Sequence, residues 1–287
     1  MGVIDVMFRI ANKQKLNDSV TLMDIEAPDI ARKALAGQFI IFRIDECGER
    51  VPLTIADTDP ARGTVTIIFQ IVGRSTMLLN QLNAGDYLLD FVGPLGIPTH
   101  LDGLKKVAVV GGGVGCAIAY PSAKALFNKG VHVDMIAGFR SKDIVILEDQ
   151  MRAVCNNFYL MTDDGTAGEK GFTTTKLQQL LEKNNDYDLV VAIGPIIMMK
   201  LIVNTAKPFG VPCTVSLNPI MIDGTGMCGC CRVTVDGKMR FACVEGPDFD
   251  GYKVDFDELI KRNSLYKERE THDREHVCNL TGGVRHA

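Results

Sequence analysis

Apolar and polar positions alternate in short runs over the first hundred residues. "VMFRIANKQKL" (6–16), "SVTLMDIEA" (19–27), "QFIIFRI" (38–44), "VTIIFQIV" (65–72) and "DYLLDFVG" (86–93) are rich in Val, Ile and Phe, with Gly, Asp, Asn and Pro between them. Runs of this length and punctuation predict strands. Helical pattern is scarce there, with "APDIARKALA" (27–36) and "RSTMLLNQL" (74–82) the short candidates. Many short strands and little helix suit an antiparallel barrel or sandwich.

From residue 105 the rhythm changes. "KVAVVGGG" (106–113), "HVDMIAGF" (132–139), "FYLMTDD" (158–164), "YDLVVAIGP" (187–195) and "PCTVSL" (212–217) read as strands. Helical runs separate several of them: "GCAIAYPSAKALFNKG" (115–130), "TTKLQQLLEKN" (174–184) and "IIMMKLIVNTAKPFG" (196–210). Pro121 is expected to bend the first helix or to sit near its first turn. Alternating strand and helix predicts a parallel sheet covered on both faces. After about residue 217 the pattern is neither, apart from a hairpin, "CRVTVDGKMRFAC" (231–243), with Asp236–Gly237 as its turn. Three units are expected: a β-barrel over 1–100, a Rossmann-like α/β domain over 101–217, and a cysteine-bearing lobe and tail over 218–287.

Composition narrows the function. The chain has 287 residues, 46% of them hydrophobic and 23% charged, and a net charge of −4. That is enough to bury a sizeable core, and the lack of basic excess excludes general affinity for nucleic acid or an anionic membrane. The most apolar stretch, "VAVVGGGVGCAIAYP", is shorter than the ~20 residues of a membrane span and rich in Gly. No targeting pattern is evident, so a cytoplasmic location is expected. In that compartment nine cysteines mean metal ligands or core residues rather than disulfides. Cys47, Cys116, Cys155 and Cys213 are scattered along the chain and are expected to be small buried hydrophobes.

Three stretches carry chemistry. "VVGGGVG" (109–115) lies between a strand and a helix, so Gly111, Gly112, Gly113 and Gly115 can let a pyrophosphate approach the backbone at the helix N-terminus. The acidic residue usual at the end of the next strand is missing. "AGFRSKD" stands there, and Arg140 could contact a 2′-phosphate, which leaves NAD and NADP both open. In the first unit "RVPLT" (50–54) offers an arginine able to pair with a diphosphate and a threonine hydroxyl. "VGRST" (72–76) offers a glycine and hydroxyls at a helix start, and "GPLG" (93–96) closes the unit.

The third stretch is "DGTGMCGCCRVTVDGKMRFAC" (223–243). Four residues separate Asp223 from Cys228, two separate Cys228 from Cys231, and eleven separate Cys231 from Cys243. This is plant-type [2Fe–2S] spacing with an aspartate in the first place. A structural zinc site would want a second cysteine pair or nearby histidines. Asp223, Cys228, Cys231 and Cys243 are the expected ligands, with Cys230 as the alternative fourth.

The order Arg-x-Pro-Leu-Thr, Gly-x-Ser-Thr, Gly-Pro-Leu-Gly and then a glycine-rich loop resembles the ferredoxin–NADP reductase superfamily over nearly all of residues 3–217. That resemblance implies FAD at Arg50, Pro52, Leu53 and Thr54, with its phosphates at Gly73, Arg74, Ser75 and Thr76. It also implies a nicotinamide near Gly194 and Pro195. "MIDGTGMCGCCRVTV" and "FACVEGPDFDG" resemble the small subunit of NADH-dependent reduced ferredoxin:NADP oxidoreductase, the sulfide dehydrogenase type of ferredoxin–NADP reductase subunit. The departure is Cys230, where a small residue is expected.

This second resemblance implies an oxidoreductase with FAD, a [2Fe–2S] cluster and NAD(H) rather than NADP(H). It also implies a larger flavin and [4Fe–4S] partner that bifurcates electrons, and ferredoxin reached through the complex. The related electron-transfer subunit of dihydroorotate dehydrogenase has the same layout with four cysteines and is the alternative, as is a non-enzymatic nucleotide-sensing or zinc-stabilised module. The cofactors carry the chemistry, so no catalytic acid or base is expected. His272, His276 and Cys278 in the tail could bind a metal, but a charged segment contacting a partner is the expectation.

Overall fold

A computed structural model describes residues 7–265 and 271–272. His276 and Cys278 lie outside the described residues.

The first unit is a seven-stranded antiparallel sheet in the order β6-β1-β2-β5-β4-β3-β7. Its elements are β1 (Phe8–Lys15), β2 (Val20–Glu26), α1 (Pro28–Lys33), β3 (Phe39–Arg43), β4 (Val51–Asp59), β5 (Thr64–Gln70), α2 (Arg74–Gln81), β6 (Tyr87–Leu88) and β7 (Asp90–Leu95). The two edge strands are nearly one segment. Only Leu89 separates them, and its N–H donates to the carbonyls of Arg43 and Ile44 at 3.0 and 3.1 Å. The chain therefore leaves β1 and joins β3 within a few residues, which nearly closes the barrel and protects its edges.

The strand β4 is absent from the hydrophobic alternation. Pro52, Asp57 and Asp59 interrupt it, yet it pairs with β3 and, past an irregularity between Ile55 and Asp57, with β5. Pro52 lies opposite Ile41 and Thr54 opposite Phe39.

The second sheet runs β11-β10-β9-β8-β12-β13-β16, its last strand, β16 (Asp248–Asp250), coming from the C-terminal segment. It is built from β8 (Lys106–Gly112), α3 (Gly115–Asn128), β9 (His132–Phe139), α4 (Glu148–Arg152), β10 (Asn157–Thr162), β11 (Glu169–Lys170), α5 (Thr173–Lys183), β12 (Leu189–Ile193), α6 (Ile196–Ala206) and β13 (Cys213–Ser216). Every pair is parallel except β13 with β16. The chain moves outward from β8 through β9 and β10, then returns to the other side of β8 as β12, so the strand order reverses between β8 and β12. Pro121 lies inside α3. It has no N–H to offer the Ala117 carbonyl, and the small residues Ala117, Ala119 and Ala123 bury that face against the sheet.

The last segment holds β14 (Arg232–Val235), β15 (Lys238–Phe241), α7 (Ala242–Glu245), β16 (Asp248–Asp250) and α8 (Phe256–Asn263). The hairpin turns at Asp236 and Gly237, with φ of 55° and 66°, the pair of positive values that a two-residue turn of this type requires. This lobe is not an appendage. One core joins Phe39 and Ile41 of β3, Val110 of β8, Met199 and Ile202 of α6, Cys231, Cys243, and Leu259 of α8. The barrel edge, one face of the second sheet and the lobe bury apolar surface against one another.

Two of the scattered cysteines, Cys116 and Cys213, are core residues with thiols pushed up by burial to about 12. Cys155 is half-buried. Cys47 corrects the expectation: it is exposed, because "DECGE" forms the β3–β4 turn, where Asp45 accepts from the Cys47 N–H at 2.9 Å. Among the described residues no helix is long and apolar enough to cross a membrane.

Candidate functional site

The reversal of strand order places the ends of β8 and β12 side by side, with Gly111 paired to Ile193. Ligands of open α/β sheets bind in that crevice. The glycines there have separate reasons. A Cβ on Gly115 would meet the Ile193 carbonyl oxygen at 2.5 Å and Gly194 Cα at 2.7 Å, so the first turn of α3 lies directly against the β12 loop. A Cβ on Gly112 would meet Met198 Sδ at 2.3 Å. Gly113 has φ +57° and open space where a side chain would stand. This is a backbone cradle that a Cβ would fill, at the N-terminus of a 14-residue helix. Arg140 is exposed just past the end of β9, and its carbonyl accepts from the Asp164 N–H at 3.3 Å.

On the barrel, residues 52–54 lie on β4 next to β3, and Arg50 immediately precedes that strand. The Arg50 guanidinium donates from Nε to the Ile222 carbonyl at 2.8 Å and from Nη1 to Asp90 at 3.2 Å. Arg43 shares the same Asp90 oxygen at 2.7 Å. Two of the five N–H donors of Arg50 are thus engaged, and three remain for an anion. Gly73 starts α2 with nothing within 4 Å of its would-be Cβ, so a phosphate can come close. Thr76 serves the turn itself: its hydroxyl accepts from the N–H groups of Val72 and Gly73 at 3.0 and 3.1 Å. Ser75 donates to Glu49.

The cluster loop lies on this same side of the barrel. A Cβ on Gly224 would meet Leu95 Cδ1 at 2.7 Å and Ile41 Cδ1 at 3.1 Å. Ile41 is the partner of Pro52, and Leu95 pairs with Phe39, the partner of Thr54. The Cys231 and Cys243 sulfurs are 3.2 Å apart and buried. Cys228 is exposed, and Cys230, half-buried, has its thiol beside it. Asp223 accepts from the Thr225 N–H at 2.8 Å and from the Cys228 N–H at 2.9 Å, one on each carboxylate oxygen. The Thr225 N–H, then that of Cys228, hold its carboxyl below the usual range, so it is ionised at neutral pH. Each oxygen keeps a lone pair, and a carboxylate has about four such sites.

Among the described residues no three His, Cys, Asp or Glu side chains converge on one metal ion. A dinuclear cluster asks for two protein ligands per iron. The buried Cys231–Cys243 pair fits one such requirement. Asp223 and Cys228, joined through the loop backbone, fit the other. Burial pushes the Cys243 thiol up to about 12, so a metal must displace its proton.

Sequence reasoning named residues 50–54 but missed what holds them. Asp90 gave no signal, since it lies in a predicted strand as one polar residue among apolar ones. The Ile222 carbonyl is a backbone group, and side-chain motifs do not report such groups.

The two sheets, the crevice between β8 and β12 and the thiol-rich loop define a ferredoxin reductase-type electron-transfer oxidoreductase with an iron–sulfur lobe. Residues 218–255 match the iron–sulfur cluster binding domain of dihydroorotate dehydrogenase B. A Clostridium beijerinckii protein described only as an uncharacterized protein in the adh 3′ region is 48% identical over 272 residues, 92% of each chain. A dihydroorotate dehydrogenase B (NAD(+)) electron transfer subunit homolog of Thermotoga maritima is 45% identical over 273 residues, 95% of this chain and 96% of that one. Among solved structures, a chain of NADH-dependent reduced ferredoxin–NADP oxidoreductase, studied for flavin-based electron bifurcation, superposes with a TM-score of 0.89. It is 43% identical and covers 96% of this chain and 99% of its own.

The chain therefore belongs to the family of dihydroorotate dehydrogenase B electron transfer subunits and their homologues. It is an oxidoreductase subunit that works with FAD, a [2Fe–2S] cluster and NAD(H), and its relatives act within larger complexes.

Proposed function

We propose that this chain is the NAD(H)-binding subunit of a cytoplasmic, electron-bifurcating NADH-dependent ferredoxin:NADP oxidoreductase, paired with a larger flavin and [4Fe–4S] subunit through which ferredoxin is reached. The observation that carries the electron-relay reading is the seating of Gly224 on Leu95 and Ile41, which puts the cluster loop beside residues 52–54. The 43% identity along nearly the whole chain favours this complex. The units 1–100, 101–217 and 218–287 then hold FAD, nucleotide and cluster in that order.

When bound, the flavin exchanges a hydride with nicotinamide and single electrons with the cluster. The chain's residues bind and align. Gly111, Gly112, Gly113 and Gly115 let the pyrophosphate approach the backbone, and the N–H groups at the α3 terminus take it. Gly194 and Pro195, on the facing loop, border the nicotinamide, and Arg140 lies at the outer rim. Arg50 and residues 73–76 hold the FAD diphosphate, while Pro52, Leu53 and Thr54 border the ring. Asp223, Cys228, Cys231 and Cys243 hold the irons. Ile220, Ile222, Met227 and Val244 on or near the cluster loop are all exposed, Met227 to 88%, an apolar rim suited to a partner subunit.

A second reading, the electron-transfer subunit of a dihydroorotate dehydrogenase, is favoured by the match over residues 218–255. Native copurification separates the two. The first expects a larger subunit with flavin and [4Fe–4S] centres, and NADH-dependent bleaching of the small subunit's flavin. Recovery of a dihydroorotate-oxidising partner would replace it with the second.

A further inference from the structure

We propose that Arg50 is a positioning residue for the cluster loop as well as a flavin-side residue, so that one side chain ties the two cofactor sites together. The inference rests on the [2Fe–2S] reading above. Asp223 stands between two anchors on the barrel. On its C-terminal side the backbone of Gly224 lies against Leu95 and Ile41 with no room for a Cβ. On its N-terminal side the Ile222 carbonyl accepts from Arg50 Nε at 2.8 Å.

The first anchor is apolar and backbone-close. The second is a charge-assisted hydrogen bond, the stronger kind. Its donor is itself fixed, because Arg50 Nη1 is paired to Asp90 at 3.2 Å and Asp90 is paired to Arg43 Nε at 2.7 Å. The Arg50 and Asp90 side chains are about one-third exposed or less, so bulk water screens this chain of contacts only in part. Arg43 and Asp90 on β3 and β7 thereby set the position of Arg50. Arg50 in turn sets where the backbone enters the Asp223 loop, 172 positions later in sequence.

A guanidinium can do this and an ammonium cannot. Arg has five donors in a planar fork, so it can hold Asp90, the Ile222 carbonyl and an anion at once, whereas Lys is a single mobile charge. Loss of Arg50 should release the loop even where the positive charge is kept.

The test uses the full chain carrying FAD and cluster, as wild type, Arg50→Lys and Asp90→Asn, at saturating FAD. Four quantities are read: the FAD dissociation constant, flavin content at saturation, the EPR spectrum of the dithionite-reduced cluster, and the rate of iron release to a ferrous chelator. Arg50→Lys is expected to keep flavin at saturation, to alter the EPR line shape, and to release iron about tenfold faster, the scale of one lost charge-assisted bond. Asp90→Asn should move the same readouts in the same direction by less, since Nε keeps its acceptor.

A purely flavin-side role predicts a weaker FAD affinity with iron release and EPR unchanged in both variants, and that result would overturn the proposal. Wild-type protein without iron or acid-labile sulfide would instead overturn the cluster reading on which it stands. If Arg50→Lys does not fold, Asp90→Asn decides on the same two readouts.

Discussion

Replacing Gly115 by alanine tests whether the crevice between β8 and β12 is set by backbone contact. The new Cβ would lie 2.5 Å from the Ile193 carbonyl oxygen, 2.7 Å from Gly194 Cα and 3.0 Å from Gly194 N. Ordinary carbon contacts are ~3.5–4.0 Å, so the α3 turn and the β12 loop must separate by about 1 Å. None of the three atoms can rotate away, because all belong to backbone. Overpacking of this kind costs about 1–3 kcal/mol, or roughly 2–12 °C in Tm. The same shift moves the Gly194 loop, proposed to border the nicotinamide, and a 1 Å misplacement can cost about 10²-fold in rate.

The assay is anaerobic stopped-flow bleaching of the flavin by NADH, with a thermal melt on the same preparation. Gly113→Ala is the contrasting variant. It meets open space, so its fold cost is the left-handed backbone alone, about 1–2 kcal/mol, while NADH affinity falls because the Cβ occupies the approach to the backbone. A Gly115→Ala protein with wild-type Tm and wild-type bleaching rate would refute the reasoning.

Two further outcomes are expected. Asp223→Cys should retain a [2Fe–2S] cluster with a shifted reduction potential in EPR-monitored titration; an unchanged potential and spectrum would exclude ligation by Asp223. Asp248 should make stability depend on pH: its Oδ1 is buried with no hydrogen-bond partner among the described residues, its Oδ2 accepts from Thr99 at 2.6 Å, and burial raises its carboxyl above the usual value, outweighing the lowering by the Thr99 and Ser216 hydroxyls. A carboxyl raised on folding favours the fold below its unfolded pKa of ~3.9, and that contribution is lost as pH rises through the folded value. Asp248→Asn should therefore raise Tm at pH 7 more than at pH 4, and an equal change at both would count against a buried carboxylate there.

Strand–glycine–helix order in the second unit was legible because it is local: buried parallel strands are near-continuous apolar runs, and the glycine loop follows one of them directly. The strand β4 was not legible. It carries Pro52, Asp57 and Asp59, and two of these serve other purposes: Pro52 is proposed to border the flavin, and Asp57 accepts from Lys124 of α3 at 2.7 Å across the unit boundary. The polar features of a site break the alternation by which strands are read. Cys47 was misjudged for the complementary reason. Cysteine's usual burial suggested a core residue, but Asp45, Glu46, Gly48 and Glu49 around it are polar or turn-forming, and it sits exposed in the turn they make.

The sequence by itself determined the classes of element, the glycine loop, the spacing of Asp223, Cys228, Cys231 and Cys243, and through these the family. Each depends on residues close together along the chain, where chain geometry ties spacing to function. Only the tertiary structure decided that the lobe shares a core with the barrel and nucleotide sheet, that Cys231 and Cys243 form the buried pair, and that Arg50 reaches the carbonyl before Asp223. Those contacts join distant segments through packing and backbone groups, and neither leaves a local pattern in the order of side chains.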